Sequence, residues 1–239
     1  MSLYEKFYRE RLYPFQDGVL NIVKKLNTPF YLTGGTALDR GYFHHRYSDD
    51  LDLFVNQDQN YSHHVRQIFA AFEAARSDDG FQIDYDRLQK YENYTRFFLI
   101  RECEDDTTEL KIELVNDIAC HYGEFVRDPV LGILDSWRNI LSNKMSAIFR
   151  YEAKDIVDIW VISKHKQFTW REIIRETKTK EAGTDPIVFF NILKSFPEDL
   201  LLTIKWVTPV DIGTFKKELD QIAEDILGGT DNCLHQKRA

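Results

Sequence analysis

The 239-residue chain is expected to form an α+β fold in which a mixed sheet with flanking helices is followed by a helical C-terminal region. Two observations predict this. Strand-like and helix-like apolar patterns alternate up to about residue 133, whereas later apolar residues recur mainly at helical spacings of three and four. We therefore place one α/β domain at residues 1–133 and a helical domain at residues 134–239.

The first half opens with a helical pattern and continues with two strands separated by a helix. Residues 3–27 predict two short helices that meet near Pro14. "FYLTGG" predicts a short strand closed by glycines, "TALDRGYF" a short helix, and "DLDLFV" a strand in which acids and aliphatics alternate. A helix over residues 63–76 and three strands, "FQIDYDRL", "YTRFFLIREC" and "ELKIELV", complete this half.

Helices dominate from about residue 135 onward. Asp135 or Ser136 is a suitable N-cap for "WRNILSNKMSAIFRYEAKDIVDIWVISK", and Gly228 and Gly229 are a stop signal for the last long helix. The remaining predicted helices are "TWREIIRETKTKEAG", "PIVFFNILKSF" and "IGTFKKELDQIAEDILGG".

Composition narrows the class of protein. A hydrophobic content of 43% is sufficient for a substantial core, and the absence of any apolar run of about 18 residues predicts a cytoplasmic protein without a membrane partner. Three widely spaced cysteines predict neither a disulfide framework nor a zinc site. Because the net charge is -8, a nucleic-acid partner would have to meet a local basic patch.

The strand "DLDLFV" carries the first candidate site. Asp50 and Asp52 lie two residues apart, so their carboxylates project from the same strand face. Neighbouring carboxylates repel each other and bind a hard cation such as Mg²⁺, together with substrate phosphates. Upstream, Gly34 and Gly35 end a strand and open a helix, where backbone N–H groups favour an anion such as phosphate. The two features predict a metal site facing a phosphate site.

Each feature also has a simpler explanation. A Gly-Gly pair is commonly a turn, and an Asp-x-Asp pair occurs in glycosyltransferases, in nucleases and on solvated edge strands. The conjunction of strand, Gly-Gly, short helix and acidic strand favours the active-site interpretation.

The motifs "GGTAL" and "RYSDDLDLF" resemble the signature of the DNA polymerase beta-type nucleotidyltransferase superfamily, and within it the AbiEii/AbiGii toxin family. The resemblance implies a nucleotidyltransferase-type mixed sheet in the first domain. The positions that match the family pattern are Gly34, Gly35, Thr36, Arg46, Ser48, Asp50 and Asp52.

A second segment, "NKMSAIFRYEAKDIVDIW", is similar to a helical motif of the same family. If one helix runs through it, positions 144, 148, 151, 155 and 158 share one stripe. The resemblance implies that Lys144 contacts a triphosphate and that Asp155 or Asp158 orients a base or an acceptor. Ordinary salt-bridged helix charges are the alternative. The matched residues are Lys144, Arg150, Lys154, Asp155 and Asp158.

Members of the superfamily carry a third acid on a neighbouring strand, and Glu113 in "ELKIELV" is our choice. Glu109 and Lys111 lie on the same strand face, and Asp84 and Asp86 are rivals. The third acid would accept the proton of the acceptor hydroxyl or bind a second metal ion. The four histidines at positions 44, 45, 63 and 64 are expected to face solvent.

The resemblance implies a nucleotidyltransferase that moves a nucleoside monophosphate from a nucleoside triphosphate to a hydroxyl, with two Mg²⁺ ions, or Mn²⁺ in their place. The acceptor would be RNA such as a tRNA 3′ end, and a cognate antitoxin would restrain the activity. A non-catalytic nucleotide-binding module and a metal-dependent nuclease are the alternatives. The implied metal ligands are Asp50, Asp52 and Glu113; the catalytic set adds Lys144 and Asp158; and the nucleotide-binding set is Gly34, Gly35, Thr36, Arg46, Ser48, Lys144, Arg150 and Asp155.

Overall fold

The computed structural model describes residues 3–103 and 106–236, and its residues cluster into two compact units. The first unit consists of the described residues of Met1–Gly41, Tyr47–Ala119 and Glu124–Asp135. The second consists of those of Tyr42–Arg46, Cys120–Gly123 and Ser136–Ala239. Two domains divided between residues 133 and 134 stay a prediction, because spatial clustering does not show which segments fold independently.

A mixed seven-stranded sheet forms the centre of the first unit, which confirms the predicted fold class. Its strand order is β3-β4-β5-β2-β1-β7-β6, and β2 runs antiparallel to β1 but parallel to β5. The strands are β1 Tyr31–Thr33, β2 Leu51–Asn56, β3 Gln82–Lys90, β4 Tyr94–Cys103, β5 Asp106–Asp117, β6 Val126–Asp128 and β7 Gly132–Leu134.

Alternating burial explains the interior position of β2. Leu51, Leu53 and Val55 are at most 2% exposed, while the residues between them are half-buried. The apolar side chains therefore face the core, and Asp52 stays on the opposite face with access to solvent. The β5 strand shows the same alternation and pairs in register with β2, Asp52 opposite Glu113.

The helices of the first unit correct one prediction. Helix α1, Leu3–Phe7, continues through π-helical turns at Tyr8–Leu12 into α2, Tyr13–Lys25, so no break occurs near Pro14. The proline lies in the first turn of α2, where its missing N–H costs little, and the wider π turn precedes it. Helix α3, Gly34–Leu38, follows β1 and leads into π-helical turns at Asp39–Phe43, and α4, Tyr61–Asp79, precedes β3.

The described part of the second unit is helical, as predicted. Trp170, Phe189 and Phe215 are at most 1% exposed and form part of its core. No helix in the described ranges is both long and apolar enough to cross a membrane. The helices are α5 Trp137–Ala147, α6 Ala153–His165, α7 Trp170–Lys180, α8 Pro186–Lys194, α9 Ile212–Gly228 and α10 Cys233–Gln236, with 3-10 turns at Ile148–Arg150 and Glu198–Thr203.

The continuous helix expected through residues 144–158 is wrong. Helix α5 ends at Ala147, and Tyr151 adopts a left-handed conformation with φ of 55° before α6 begins at Ala153. A β-carbon makes this conformation unfavourable, and tyrosine gives no sequence signal for it. Lys144 and Asp155 therefore lie on two different helices.

Ser136 fixes the start of α5. Its side chain accepts a hydrogen bond from the Asn139 N–H at 3.0 Å and donates one to the Tyr122 carbonyl. An N-cap contributes about 1 kcal/mol, and this serine also ties residues 120–123 to the helix. We expect Ser136→Ala to lower the free energy of unfolding by about 1–2 kcal/mol in urea denaturation.

Ser195→Ala is the matched control, because Ser195 is exposed and bonds only within its own helix end in the described structure. Its effect should stay within about 0.5 kcal/mol. Equal losses for the two variants would contradict the assigned capping role.

Candidate active site

Gly34 and Asp52 bring the glycine turn and the acidic strand together. Gly34 has a φ of +69°, a left-handed conformation that glycine adopts without strain. A β-carbon at this position would lie 2.4 Å from Asp52 Oδ2, so only glycine allows the carboxylate to approach the turn. The register of β1 and β2, in which Thr33 is opposite Asp52, produces this approach.

A hydrogen bond holds the second acid beside the same turn. The Thr36 hydroxyl in α3 donates to the backbone carbonyl of Asp50. Thr36 is 1% exposed, so this bond forms away from competing water. Gly35 is buried directly before it. Helix α3 and the start of β2 are thereby tied together at the residues that the sequence predicted for the site.

Lys111 supplies a positive charge to the acids. Its ammonium lies 2.8 Å from Asp50 Oδ2 and 3.4 Å from Glu113 Oε1. Burial by itself lowers the pKa of Lys111, but the hydrogen bond to Asp50 and the nearby negative charges outweigh this effect, so the pKa is raised. The acids on these two strands therefore bind a cation, here an ammonium.

Glu113 occupies the position predicted for a third acid. It faces Asp52 across the β2–β5 pair, and the Tyr94 hydroxyl donates to Glu113 Oε1 at 2.9 Å. Burial, followed by the hydrogen bond and charge of Glu113, raises the pKa of Tyr94 to about 12. The rivals Asp84 and Asp86 lie on β3, which β4 and β5 separate from β2. This placement favours Glu113 over both rivals.

The donor set suits a divalent cation. Asp50, Asp52 and Glu113 offer hard oxygen ligands, Gly34 leaves room for the Asp52 carboxylate, and the Lys111 ammonium compensates the negative charge of Asp50 and Glu113. Among residues 3–103 and 106–236, no three His, Cys, Asp or Glu side chains form a group that could hold a metal ion. Mg²⁺ commonly uses one or two protein carboxylates with substrate phosphates, which two of these acids can provide.

A buried charge cluster lies in the second unit. Asp158 is fully buried and accepts hydrogen bonds from Arg46 Nε and Nη2, each at 2.8 Å. The Lys144 ammonium lies 2.8 Å from Asp158 Oδ2 and 2.6 Å from Asp155 Oδ1. The structure thus brings together Lys144, Asp155 and Asp158 of the second predicted set with Arg46 of the first, although not by the predicted continuous helix.

The cluster controls the protonation of Asp158. Burial alone would raise the pKa of this carboxyl, but the charges of Arg46 and Lys144 outweigh burial. Hydrogen bonds from His45 and Arg46 act in the same direction, so the pKa of Asp158 lies well below its usual range. The carboxylate is therefore ionised throughout the neutral range.

His45 corrects the expectation that all four histidines face solvent. Its side chain is 6% exposed, and Nε2 lies 2.8 Å from Asp158 Oδ1. His44 and His63 are exposed, as expected, and His64 is half-buried near Asp58.

The other predicted residues have simpler surroundings. Arg150 and Lys154 are exposed in the second unit, whereas Ser48 is 8% exposed in the first. The backbone carbonyl of Ser48 accepts a hydrogen bond from Gln16 Nε2 at 3.3 Å.

Three contacts of these sites were missed by sequence reasoning. Lys111 had a signal, since it lies two residues before Glu113 on the same strand face. Tyr94 had none, because its contact depends on the β4–β5 pairing. His45 reaches an acid 113 residues away, a distance that local patterns cannot bridge.

The Gly34 geometry predicts a large cost for any side chain there. We expect Gly34→Ala to lower the free energy of unfolding by about 3 kcal/mol, from left-handed backbone strain and the clash with Asp52. Gly80→Ala is the matched control, because Gly80 has a φ of +63° but open space around a β-carbon. It should cost only about 1–2 kcal/mol. Urea denaturation that gives equal costs would contradict the close approach of Asp52.

The Asp158 cluster predicts a pH-dependent contribution to stability. Because the folded-state pKa is depressed, this contribution is complete above the unfolded pKa, about 3.9, and is lost as pH falls through the folded pKa. Asp158→Asn should lower the free energy of unfolding by about 3–5 kcal/mol at pH 7, with the difference from wild type shrinking below about pH 4.

Urea titrations from pH 7 to pH 3 measure this difference. Asp199→Asn is the control, since Asp199 is exposed and has no ion pair among the described residues. It should show little difference at any pH. A constant Asp158→Asn deficit across the range would contradict the ionised cluster.

Comparison with solved structures confirms the fold. The chain is similar to JHP933 from Helicobacter pylori with a TM-score of 0.64 and 20% identity, over 100% of this chain and 96% of that one. It is also similar to a candidate nucleotidyltransferase from H. pylori with a TM-score of 0.60 and 19% identity, over 93% and 96% of the two chains. A search of curated proteins gives no match.

A family model described as "Nucleotidyl transferase AbiEii toxin, Type IV TA system" matches residues 21–225, most of the chain. The match includes both the Gly34–Asp52 region and the segment from Lys144 to Asp158. The chain is therefore a nucleotidyltransferase that belongs to the AbiEii toxin family.

Proposed function

We propose that the protein transfers a nucleoside monophosphate from a nucleoside triphosphate to an RNA hydroxyl, with Mg²⁺ held by Asp50 and Asp52. The observation that carries this proposal is the contact of the Asp52 carboxylate with the Gly34 turn. A phosphate-binding turn and a cation-binding pair are then adjacent, which is what a metal–triphosphate substrate requires. Family membership supports the reaction class.

The residues of the glycine turn bind and orient the triphosphate in this proposal. The backbone at Gly34 and Gly35 carries no side chain that would keep a phosphate away, and its N–H groups can donate to phosphate oxygens. The Thr36 hydroxyl donates to Asp50 and so fixes the acidic strand relative to the turn. Ser48, buried in the same unit, is proposed to support the nucleotide-binding segment.

Asp50 and Asp52 would hold the divalent ion together with oxygens of the substrate phosphates; Mn²⁺ could replace Mg²⁺ there. Bound there, the metal would neutralise charge on the phosphates and on the attacking and leaving oxygens. Lys111 would have to release Asp50 and Glu113 as the substrate binds, because its ammonium contacts both.

The transfer forms one P–O bond and breaks another. The acceptor hydroxyl oxygen bonds to the α-phosphorus, and the bond from that phosphorus to the bridging oxygen of the leaving group breaks, which releases pyrophosphate. The proton of the acceptor hydroxyl is transferred to a carboxylate, and Glu113 is our candidate for this general base. The Tyr94 hydroxyl holds one Glu113 oxygen by hydrogen bonding and leaves the other for this role.

For the second unit we propose roles that follow from the family pattern. Lys144, Arg46 and Arg150 would contribute positive charge to nucleotide binding. Asp158 would orient the side chains of Arg46 and Lys144, and Asp155 would help to orient Lys144. Their support in the structure is the buried cluster in which Asp158 contacts Arg46 and Lys144. We further propose that the activity is toxic to the cell and that a cognate antitoxin restrains it, in line with the family description.

Transfer of label from α-³²P-labelled nucleoside triphosphates to total RNA, with Mg²⁺ present, tests the proposed function. Wild-type protein should label RNA with at least one of the four nucleotides. Asp50→Asn and Asp52→Asn should each reduce labelling at least about a hundredfold, because each removes negative charge from the cation site.

Asp86→Asn is the matched control, since it makes the same chemical change at an exposed acid on β3 of the same sheet. It should label RNA at the wild-type rate. Absence of labelling by wild type with every nucleotide, or full activity of Asp52→Asn, would overturn the proposal. Degradation of RNA without added nucleotide would favour a nuclease instead.

A further inference from the structure

One face of α7 carries three positive side chains in a row. Arg171, Arg175 and Lys178 are exposed and lie four and three residues apart, so they share one helix face. None of the three has a hydrogen-bond or ion-pair partner among the described residues. Along the helix axis they are about 6 Å and 4.5 Å apart, given a rise of about 1.5 Å per residue.

The acids of α7 are directed elsewhere. Glu172 and Glu176 both bind Arg138 of α5, at 2.9 Å and 2.5 Å from its Nη2. Arg138 thus engages Glu172, which lies three residues before Arg175 and could have paired with it at helical spacing, together with the buried Glu176. In a chain with 39 acidic residues and 31 Lys and Arg, an ordinary solvated face would be expected to include acids. This face instead carries uncompensated positive charge.

The same three side chains line a groove. Its volume is about 360 Å³, and its other walls are the end of α9, at Ile226–Gly229, and Pro186 at the start of α8. Ile226 is fully buried, and Leu227 is 44% exposed. The groove therefore combines a cationic edge with an apolar wall.

We propose that this face of α7, formed by Arg171, Arg175 and Lys178, binds the phosphate backbone of single-stranded RNA. The inference rests on the proposed function, because RNA is the acceptor class assigned there. A linear row of cations matches a linear polyanion, and each neutralised phosphate releases counterions. The shallow groove beside this row leaves room for a single strand. The net charge of -8 makes such a local patch necessary for any RNA partner.

Fluorescence anisotropy with a labelled short uridine homopolymer tests this surface. The full-length protein is used in EDTA without nucleotide, so no catalysis is needed. The variant Arg171→Gln/Arg175→Gln/Lys178→Gln should bind about tenfold more weakly or worse at low salt. Its plot of log affinity against log salt should be less steep by about 2, since single-strand contacts contribute about 0.7 each.

The matched control is Lys25→Gln/Arg66→Gln/Lys90→Gln. It removes the same charge from three exposed cations of the first unit that have no partner among the described residues. Its affinity and salt slope should stay within about twofold of wild type. Equal losses in both variants would show a response to net charge alone and would overturn the assignment of α7.

Two further arms separate the alternatives. Binding is also measured to phosphatidylglycerol vesicles and to a poly-glutamate peptide. If the α7 substitutions weaken binding to either of these but leave RNA binding unchanged, the face serves a membrane or an acidic protein, and the inference fails. Calorimetric binding of a triphosphate with Mg²⁺ should be unchanged in the α7 variant. Absence of RNA labelling by the wild-type protein in the transfer assay would contradict the proposed function, whereas unchanged RNA affinity of the α7 variant would contradict only the present inference.

Discussion

The close approach of Asp52 to the backbone of Gly34 is the constraint on which the rest of the site depends. It requires a residue without a β-carbon, a left-handed turn directly after β1, and antiparallel pairing that sets Thr33 opposite Asp52. If the β1–β2 register moved by one residue, the carboxylate would point into the core. The alternation of buried leucines in β2 prevents this shift, because it would place charge in the apolar interior.

Charge balance shapes both units in the same way. In the first unit, the Lys111 ammonium compensates acids on two adjacent strands. In the second, Arg46 and Lys144 compensate the fully buried Asp158, whose ionised form would otherwise be very costly. The exposed cations of α7 differ from both clusters because no described acid compensates them.

The main helices and strands, including the acidic strand β2, could be predicted from the sequence. Leu51, Leu53 and Val55 predicted the buried face of β2, and the Gly34–Gly35 pair predicted the turn before α3. Strands β6 and β7 were missed because each has only three residues, too few to show a period of two. The helix break at Tyr151 was missed because a left-handed tyrosine leaves no pattern. Contacts such as His45 with Asp158 depend on tertiary folding rather than on local sequence.

The most direct test of the central claim is the position of a cation in crystals grown with a non-hydrolysable nucleoside triphosphate and Mn²⁺. Anomalous scattering would locate the ion independently of any activity. The account predicts a peak within coordination distance of carboxylate oxygens from both Asp50 and Asp52, with the triphosphate against Gly34 and Gly35. A triphosphate bound elsewhere, or a peak with neither carboxylate in contact, would contradict it.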